Sequence, residues 1–197
     1  MKAFPIIVSS PSGAGKTTIV QALLAQNKTL SRVITATTRE PRSGEKDGAD
    51  YHFWTLKQFE RAIAKKQMLE WAHVHTNYYG TPKKSVNDLI KKGICPVLVI
   101  DVQGARIVRK VYPEAVSVFI IPPSLDELKK RILGRNDNTK DIAVRLKTAK
   151  KEMQDIDRYD YAVINDDLQQ AIAKVQSIIL AEQSRVSRLD KKLKILR

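Results

Sequence analysis

The stretch Phe4-Pro5-Ile6-Ile7-Val8-Ser9-Ser10-Pro11-Ser12-Gly13-Ala14-Gly15-Lys16-Thr17-Thr18 decides the architecture. Phe4 to Ser9 is apolar without polar alternation, the pattern of a strand buried on both faces of a parallel sheet. Thr17 to Gln26 follows, with Ile19, Val20, Leu23 and Leu24 on one face of a helix. A strand, a glycine-rich turn and a helix in that order are the setting of a phosphate-binding loop. Gly13 and Gly15 let backbone N–H groups approach phosphate oxygens with no side chain in the way. The helix N-terminus adds roughly half a positive charge at that point. Lys16 is placed to reach the β- and γ-phosphates, and Thr17 to put a hydroxyl on magnesium. The expected nucleotide contacts are Ser10, Pro11, Ser12, Gly13, Ala14, Gly15, Lys16, Thr17 and Thr18. The strict loop pattern asks for glycine where this chain has Ser10. The Gly-Lys-Thr end, which carries most of the phosphate chemistry, is complete.

Working outward, strands and helices alternate, which predicts an α/β fold with a parallel sheet core flanked by helices. Thr55 and Gln58 form a capping box ahead of Leu56, Phe59 and Ile63. Thr81-Pro82 reads as an N-cap followed by proline at the first helical position, with that helix ending at Gly93. Val97 to Asp101 and Val116 to Ile121 read as buried strands. Ser124 with Glu127 caps a helix whose apolar face is Leu125, Leu128 and Ile132. Ala162 to Ile164 is a short last strand, and a long helix starts near Asp167. Two segments interrupt this pattern. Residues 35–80 hold most of the aromatic residues and read as an insertion with small strands of its own. Residues 124–158 are rich in arginine and lysine and are broken at Gly134-Arg135-Asn136. The expected organisation is a domain over 1–183, with its core in 1–34, 81–123 and 159–183, and a basic helical tail over 184–197.

Asp101 ends the apolar run Val97-Leu98-Val99-Ile100. A carboxylate at the end of a buried strand beside a phosphate loop can order magnesium or meet the acceptor. It can equally cap a helix starting at Val102-Gln103-Gly104.

The 197 residues suffice for one core with inserted subdomains. The apolar runs are too short for a membrane span or a signal-peptide core, so a cytoplasmic protein without a membrane partner is expected. The single cysteine, Cys95, excludes an internal disulfide and fits a reducing compartment. It reads as an inert buried thiol. His52, His73 and His75 lack the partners of a zinc site. The net charge is +14, of which residues 184–197 supply +5. Such a charge is compatible with nucleic acid, but no aromatic-rich nucleic-acid motif accompanies it. A protein handling two polyanionic nucleotides needs many cations for its own chemistry. An apolar heptad through Ile172, Val175 and Ile179 is broken at Glu182 and resumes at Val186, Leu189, Leu193 and Leu196. This pattern fits either a homo-oligomer held by the tail or a lone terminal helix.

Five further motifs carry a resemblance: Thr37-Thr38-Arg39 with Pro41-Arg42-Ser43-Gly44-Glu45, Gly48-Ala49-Asp50-Tyr51, Leu69-Glu70-Trp71-Ala72, Asn77-Tyr78-Tyr79-Gly80-Thr81, and Asp101-Val102-Gln103-Gly104. Together with the phosphate loop they make the chain, from residue 4 to about 180, resemble the bacterial-type guanylate kinases. The resemblance implies a P-loop kinase fold with an acceptor-binding insertion (35–80) and a helical lid (124–158). It implies transfer of the γ-phosphoryl group of ATP to GMP, and to dGMP, with Mg2+. Arg39 and Arg42 are fork-shaped cations suited to a phosphate monoester, and Tyr51 and Tyr79 can donate phenol O–H groups to it. Glu70 offers two acceptor oxygens to the adjacent N1–H and N2–H₂ donors of guanine, a pairing that adenine cannot make. By resemblance, Thr35 and Thr81 bond guanine O6 or N7. Arg131, Arg135 and Arg145 are the lid's phosphate-clamping arginines, and Asn165 lies near adenine. Lys16, Arg39, Arg131, Arg135, Arg145 and Asp101 are then the expected catalytic group, and Thr17 with Asp101 the expected metal contacts. Two positions depart from the family. Val99 stands where many members have aspartate, and Arg135-Asn136-Asp137 replaces the common Arg-Gly-Thr.

Overall fold

Ile6–Ser9 form β1, the central strand of a five-stranded parallel sheet. The computed structural model describes residues 1–11, 13–74, 76–133 and 142–189. Ser12, His75, the lid residues Arg135, Asn136 and Asp137, and the tail from 190 on lie outside the described residues. Around β1 the sheet runs in the order β2 (Leu30–Arg32), β7 (Cys95–Val99), β1, β8 (Val116–Ile121), β9 (Tyr161–Ile164). Val8 pairs with Val99 on one side and Val118 on the other. The continuous apolar runs follow from burial on both faces. Ile6 and Val8 pack with Ile19, Val20 and Leu23 of α1 (Lys16–Gln26) and Ile172, Val175 and Ile179 of α7 (Leu168–Gln183). Ile7 and Leu98 face the other way, toward Val86 of α3 (Lys83–Lys91) and Ala105 and Val108 of α4 (Val102–Val111).

The insertion forms a second sheet in the order β4 (His52–Phe53), β3 (Ala36–Thr37), β6 (Asn77–Pro82), β5 (Met68–Val74). Phe59 and Ala62 of α2 (Leu56–Ala64) pack against Ala36 and Met68 of its strands. The segment expected as a lid holds α5 (Leu125–Leu133) and α6 (Ile142–Met153). Leu128 and Ile132 of the first pack with Ala149 of the second.

Most expected boundaries agree within the usual end effects. The capping box of Thr55 and Gln58 forms in full. Ser124 Oγ accepts from the Glu127 amide at 3.0 Å, and Asp167 caps α7 through the Gln170 amide at 2.8 Å. Thr81 differs from its reading as a helix cap. It pairs with Glu70 in the second sheet, the N-cap is Pro82, and no side chain caps α3. Strand pairing with β5 carries Thr81 and Pro82 into β6 before the helix begins. The β7 strand also begins two residues early, at Cys95, and stops at Val99, so Asp101 lies past its end.

Glu182 also differs from its reading as a break in an apolar seam. It is buried, and it accepts from Arg188 at 2.8 Å and from the Tyr161 hydroxyl at 2.6 Å. The α-helix stops at Gln183, and Val186–Arg188 form a single 3-10 turn that folds back on the domain.

Candidate active site

Gly15, at φ 93°, is the N-cap of α1. The left-handed backbone there is open to glycine at no steric cost. A second constraint comes from the far edge of the sheet: a Cβ on Gly15 would lie 2.3 Å from Nδ2 of Asn165. That amide donates to the carbonyl oxygen of Ala14 at 2.7 Å, so the end of β9 holds the loop. Ser10 is buried, and its hydroxyl donates to the Pro11 carbonyl at 2.9 Å. Among the described residues, positive φ outside glycine occurs only at Lys66. Ser10 therefore occupies the usual glycine position without backbone strain.

The loop opens into a cavity of about 210 Å³ bordered by Gly13, Gly15, Lys16, Thr17, Asp101 and Glu152. Burial pushes the Lys16 ammonium below its ordinary range, and the charges of Glu152 and then Asp101 oppose that shift. Thr17 and Asp101 supply hard oxygens to the same cavity, a donor set that magnesium takes alongside substrate phosphates. Asp101 Oδ1 accepts from the Gly104 amide at 2.8 Å and caps α4, so capping and a place in the cavity belong to one carboxylate. Glu152 is a site residue that sequence reading missed. It stands in the run Lys150-Lys151-Glu152, which reads as a solvated face. Its helical spacing from Arg145, seven residues and about two turns away, was the available signal.

On the other side of the loop a cavity of about 440 Å³ is bordered by Gly15, Thr18, Arg131, Asn165, Asp166 and Leu168. Arg131 is set by its own helix and by β9: Nε donates to Glu127 Oε1 at 3.0 Å and Nη1 to the Asn165 carbonyl at 3.2 Å. Arg145 is half-buried on α6.

A third cavity, about 160 Å³, is bordered by Thr35, Tyr51, Glu70, Tyr79, Val99 and Asp101. Thr81 is fully buried, and its hydroxyl donates to Glu70 Oε1. Gly104 leaves room for the other oxygen, since a Cβ there would sit 3.3 Å from Glu70 Oε2. Burial raises the Glu70 carboxyl above its usual range, and the like charge of Asp101 adds to this. The Tyr51 and Tyr79 rings meet edge-on at 6.2 Å, and the Arg39 guanidinium lies 5.6 Å from the Tyr51 ring centre. Arg39 Nη2 makes a forked pair with both oxygens of Glu45, at 2.8 and 2.9 Å. Arg42 is exposed at the rim, and its backbone amide donates to the same carboxylate. Val99 gives the pocket an apolar wall where the resemblance leads one to expect aspartate. A larger cavity of about 500 Å³ lies between Trp54, Lys66 and Lys83 and shares no residue with these three.

The guanylate kinase family model matches residues 2–182. The chain belongs to the guanylate kinase family. A guanylate kinase of Clostridium acetobutylicum is 48% identical over 189 residues, covering 95% of this chain and 90% of that protein. One from Caldanaerobacter subterraneus is 46% identical, covering 93% and 89%. The crystal structure of guanylate kinase from Anaplasma phagocytophilum superposes with a TM-score of 0.77 at 34% identity, covering 94% of this chain and 89% of that one. No helix among the described residues is long and apolar enough to cross a membrane.

Proposed function

We propose that this guanylate kinase family member moves the γ-phosphoryl group of ATP onto GMP, giving ADP and GDP, and accepts dGMP in the same pocket. The observation that carries the reading is the position of Asp101, which borders both the phosphate-loop cavity and the Glu70 cavity. Donor and acceptor phosphates held in those cavities would meet at one carboxylate.

On this reading the loop from Ser10 to Thr18 cradles the donor phosphates, and Lys16 neutralises their charge. Asn165 fixes the loop and borders the adenine side. Glu70, oriented by Thr81, selects guanine, with Thr35 beside it. Arg39, Arg42, Tyr51 and Tyr79 hold the acceptor phosphate. Because the attacking phosphate oxygen is already anionic, no strong general base is needed. Catalysis is positioning and charge neutralisation. Arg131 and Arg145 stabilise charge on the transferring group, a contribution of about 10³ to 10⁵ in rate for arginines that act this way. Arg135 joins them as an expectation that falls outside the described residues.

The oxygens of Thr17 and Asp101 fit a magnesium ion, which when bound would neutralise charge on the donor's terminal phosphates. Buried Cys95, the chain's single cysteine, fits a reducing cytoplasm. The direct test is a coupled assay of ADP release with GMP, dGMP, AMP and UMP as acceptors. Turnover with GMP at least about 10³-fold above that with AMP is expected. Equal turnover with AMP would overturn the assignment of Glu70.

A further inference from the structure

The cavity of about 500 Å³ between Trp54, Lys66 and Lys83 has no part in the chemistry above. Its volume falls in the range of small-ligand sites, about 300–1,000 Å³. Tyr51 borders the acceptor pocket, and the next residue, His52, borders this cavity. Successive residues of an extended segment face opposite ways, so the two cavities lie on opposite sides of that strand. The His52 and Trp54 rings stack at 6.4 Å with 24° between their planes. Lys66, Lys83 and Lys84 border the same space, and among the described residues no aspartate or glutamate does. Lys84 pairs with Asp88 of its own helix. Lys66 and Lys83 make no ion pair among the described residues.

Two local choices in the sequence work against the fold, and both put a cation at the border of this cavity. Lys66 follows α2 at φ 53°. Its amide donates to the Ile63 carbonyl at 2.8 Å, and the Gln67 amide donates to the Ala62 carbonyl at 2.9 Å. Glycine usually fills this kind of helix stop, because a residue with a Cβ is strained in the left-handed region. The second choice is at α3, which opens on Lys83 and Lys84 with no acidic residue in its first turn. The helix dipole disfavours cations there.

We infer that this cavity, with its stacked His52–Trp54 pair and its unpaired Lys66 and Lys83, is a second nucleotide site, separate from phosphoryl transfer. Its ligand class is a nucleoside phosphate. The base lies against the aromatic pair, which suits a flat ring. The phosphate lies between Lys66 and Lys83, whose ammonium groups make charge-assisted hydrogen bonds to it.

The test is titration of the full chain with AMP by equilibrium dialysis, after saturation with GMP and ADP, a pair with no γ-phosphoryl group to transfer. Adenosine and ribose 5-phosphate serve as the ring-only and phosphate-only arms. Wild type is expected to bind one AMP with a Kd below about 1 mM, and each part at least about tenfold more weakly. Lys66→Gly and Lys83→Gln should each weaken AMP about fivefold and leave ADP release with GMP unchanged. Lys66→Gly should also raise the melting temperature by about 2 °C, because glycine takes the left-handed backbone without strain. That rise separates lost affinity from a damaged fold. No binding of AMP to wild type under these conditions would overturn the inference. So would equal affinity in all three proteins, which would place AMP in the catalytic cavities. Ribose 5-phosphate binding as tightly as AMP would reduce the site to an anion patch and overturn the nucleotide class.

Discussion

The side-chain amide of Asn165 donates to the carbonyl oxygen of Ala14 at 2.7 Å, joining the end of β9 to the phosphate loop across 151 residues of chain. Both residues are buried. Removing the amide leaves a buried carbonyl without that donor, which costs about 1–3 kcal/mol. Asn165→Ala is therefore expected to lower stability by that amount in urea unfolding. It should also raise the KM for ATP well above any change in the KM for GMP, because Glu70, Tyr51 and Tyr79 do not depend on β9. Equal effects on both substrates would show that the contact does not set the donor loop.

Lys16 is the buried cation of the same loop. Burial pushes its ammonium down, while Glu152 and Asp101 oppose the shift. Lys16→Met keeps the length of the side chain and removes a costly buried charge. The variant is expected to fold with a melting temperature near that of wild type and to lose phosphoryl transfer. Turnover within tenfold of wild type would refute the assignment of the loop.

Glu70 carries a prediction with a sign. Its carboxyl is raised above the ordinary value of 4.5, first by burial and then by Asp101. The native state therefore holds this proton more tightly than the unfolded chain. Stability must fall as pH rises from 4.5 toward the raised native value, and stay reduced above it. Glu70→Gln lacks this titration and can still accept from Thr81. It is expected to gain stability relative to wild type across that window and to keep the gain at neutral pH. The same variant should lose about 10³-fold in kcat/KM for GMP, since an amide offers a donor where guanine needs an acceptor. Parallel stability curves for the two proteins from pH 4 to 8 would contradict the burial of this charge.

Gly104 tests the same pocket from α4. Its amide is held by Asp101, and a Cβ would meet Glu70 Oε2 at 3.3 Å and Ile100 Cβ at 3.4 Å. Helix propensity alone favours alanine there. Gly104→Ala should therefore leave stability nearly unchanged while displacing the carboxylate by a few tenths of an ångström. The expected outcome is a rise of about tenfold in the KM for GMP with the KM for ATP unaffected.

The reach of sequence reading follows from how local each signal is. The β1–loop–α1 unit, the Thr55–Gln58 box, the cap at Ser124 and the helix start near Asp167 depend on residues within a few positions, and all form. Thr81 followed by proline carries the same local signal as a cap, but partners in β5 override it. The sequence reading picks out Arg39 as a cation but not its forked pairing with Glu45, which depends on the path of a six-residue turn. Glu152 and Glu182 were illegible as functional or structural charges for one shared reason. Each sits on a helix, and only tertiary packing places the first at the Lys16 cavity and brings Arg188 to the second.

Glu182 and Arg188 give the largest expected effect on stability. Their side chains are 5% and 10% exposed and meet at 2.8 Å. The guanidinium lies 3.5 Å from the centre of the Phe4 ring, and the Arg188 carbonyl accepts from the Lys2 amide at 2.8 Å. The turn after α7 thus fastens Lys2 and Phe4 to the end of α7. Breaking a buried pair by removing one partner strands the other charge and costs about 3–5 kcal/mol. Arg188→Ala and Glu182→Ala should each lose stability of that order, while replacing both by leucine and methionine should lose much less. Ending the chain after Gln183 removes both Arg185 and Arg188 from Glu182 and should cost at least as much as Arg188→Ala. Ending it after Leu189 keeps the pair and should not. Urea unfolding of these five proteins, with ADP release measured on those that fold, separates a structural clasp from a dispensable tail. Wild-type stability in the Gln183 truncation would show that the clasp contributes nothing.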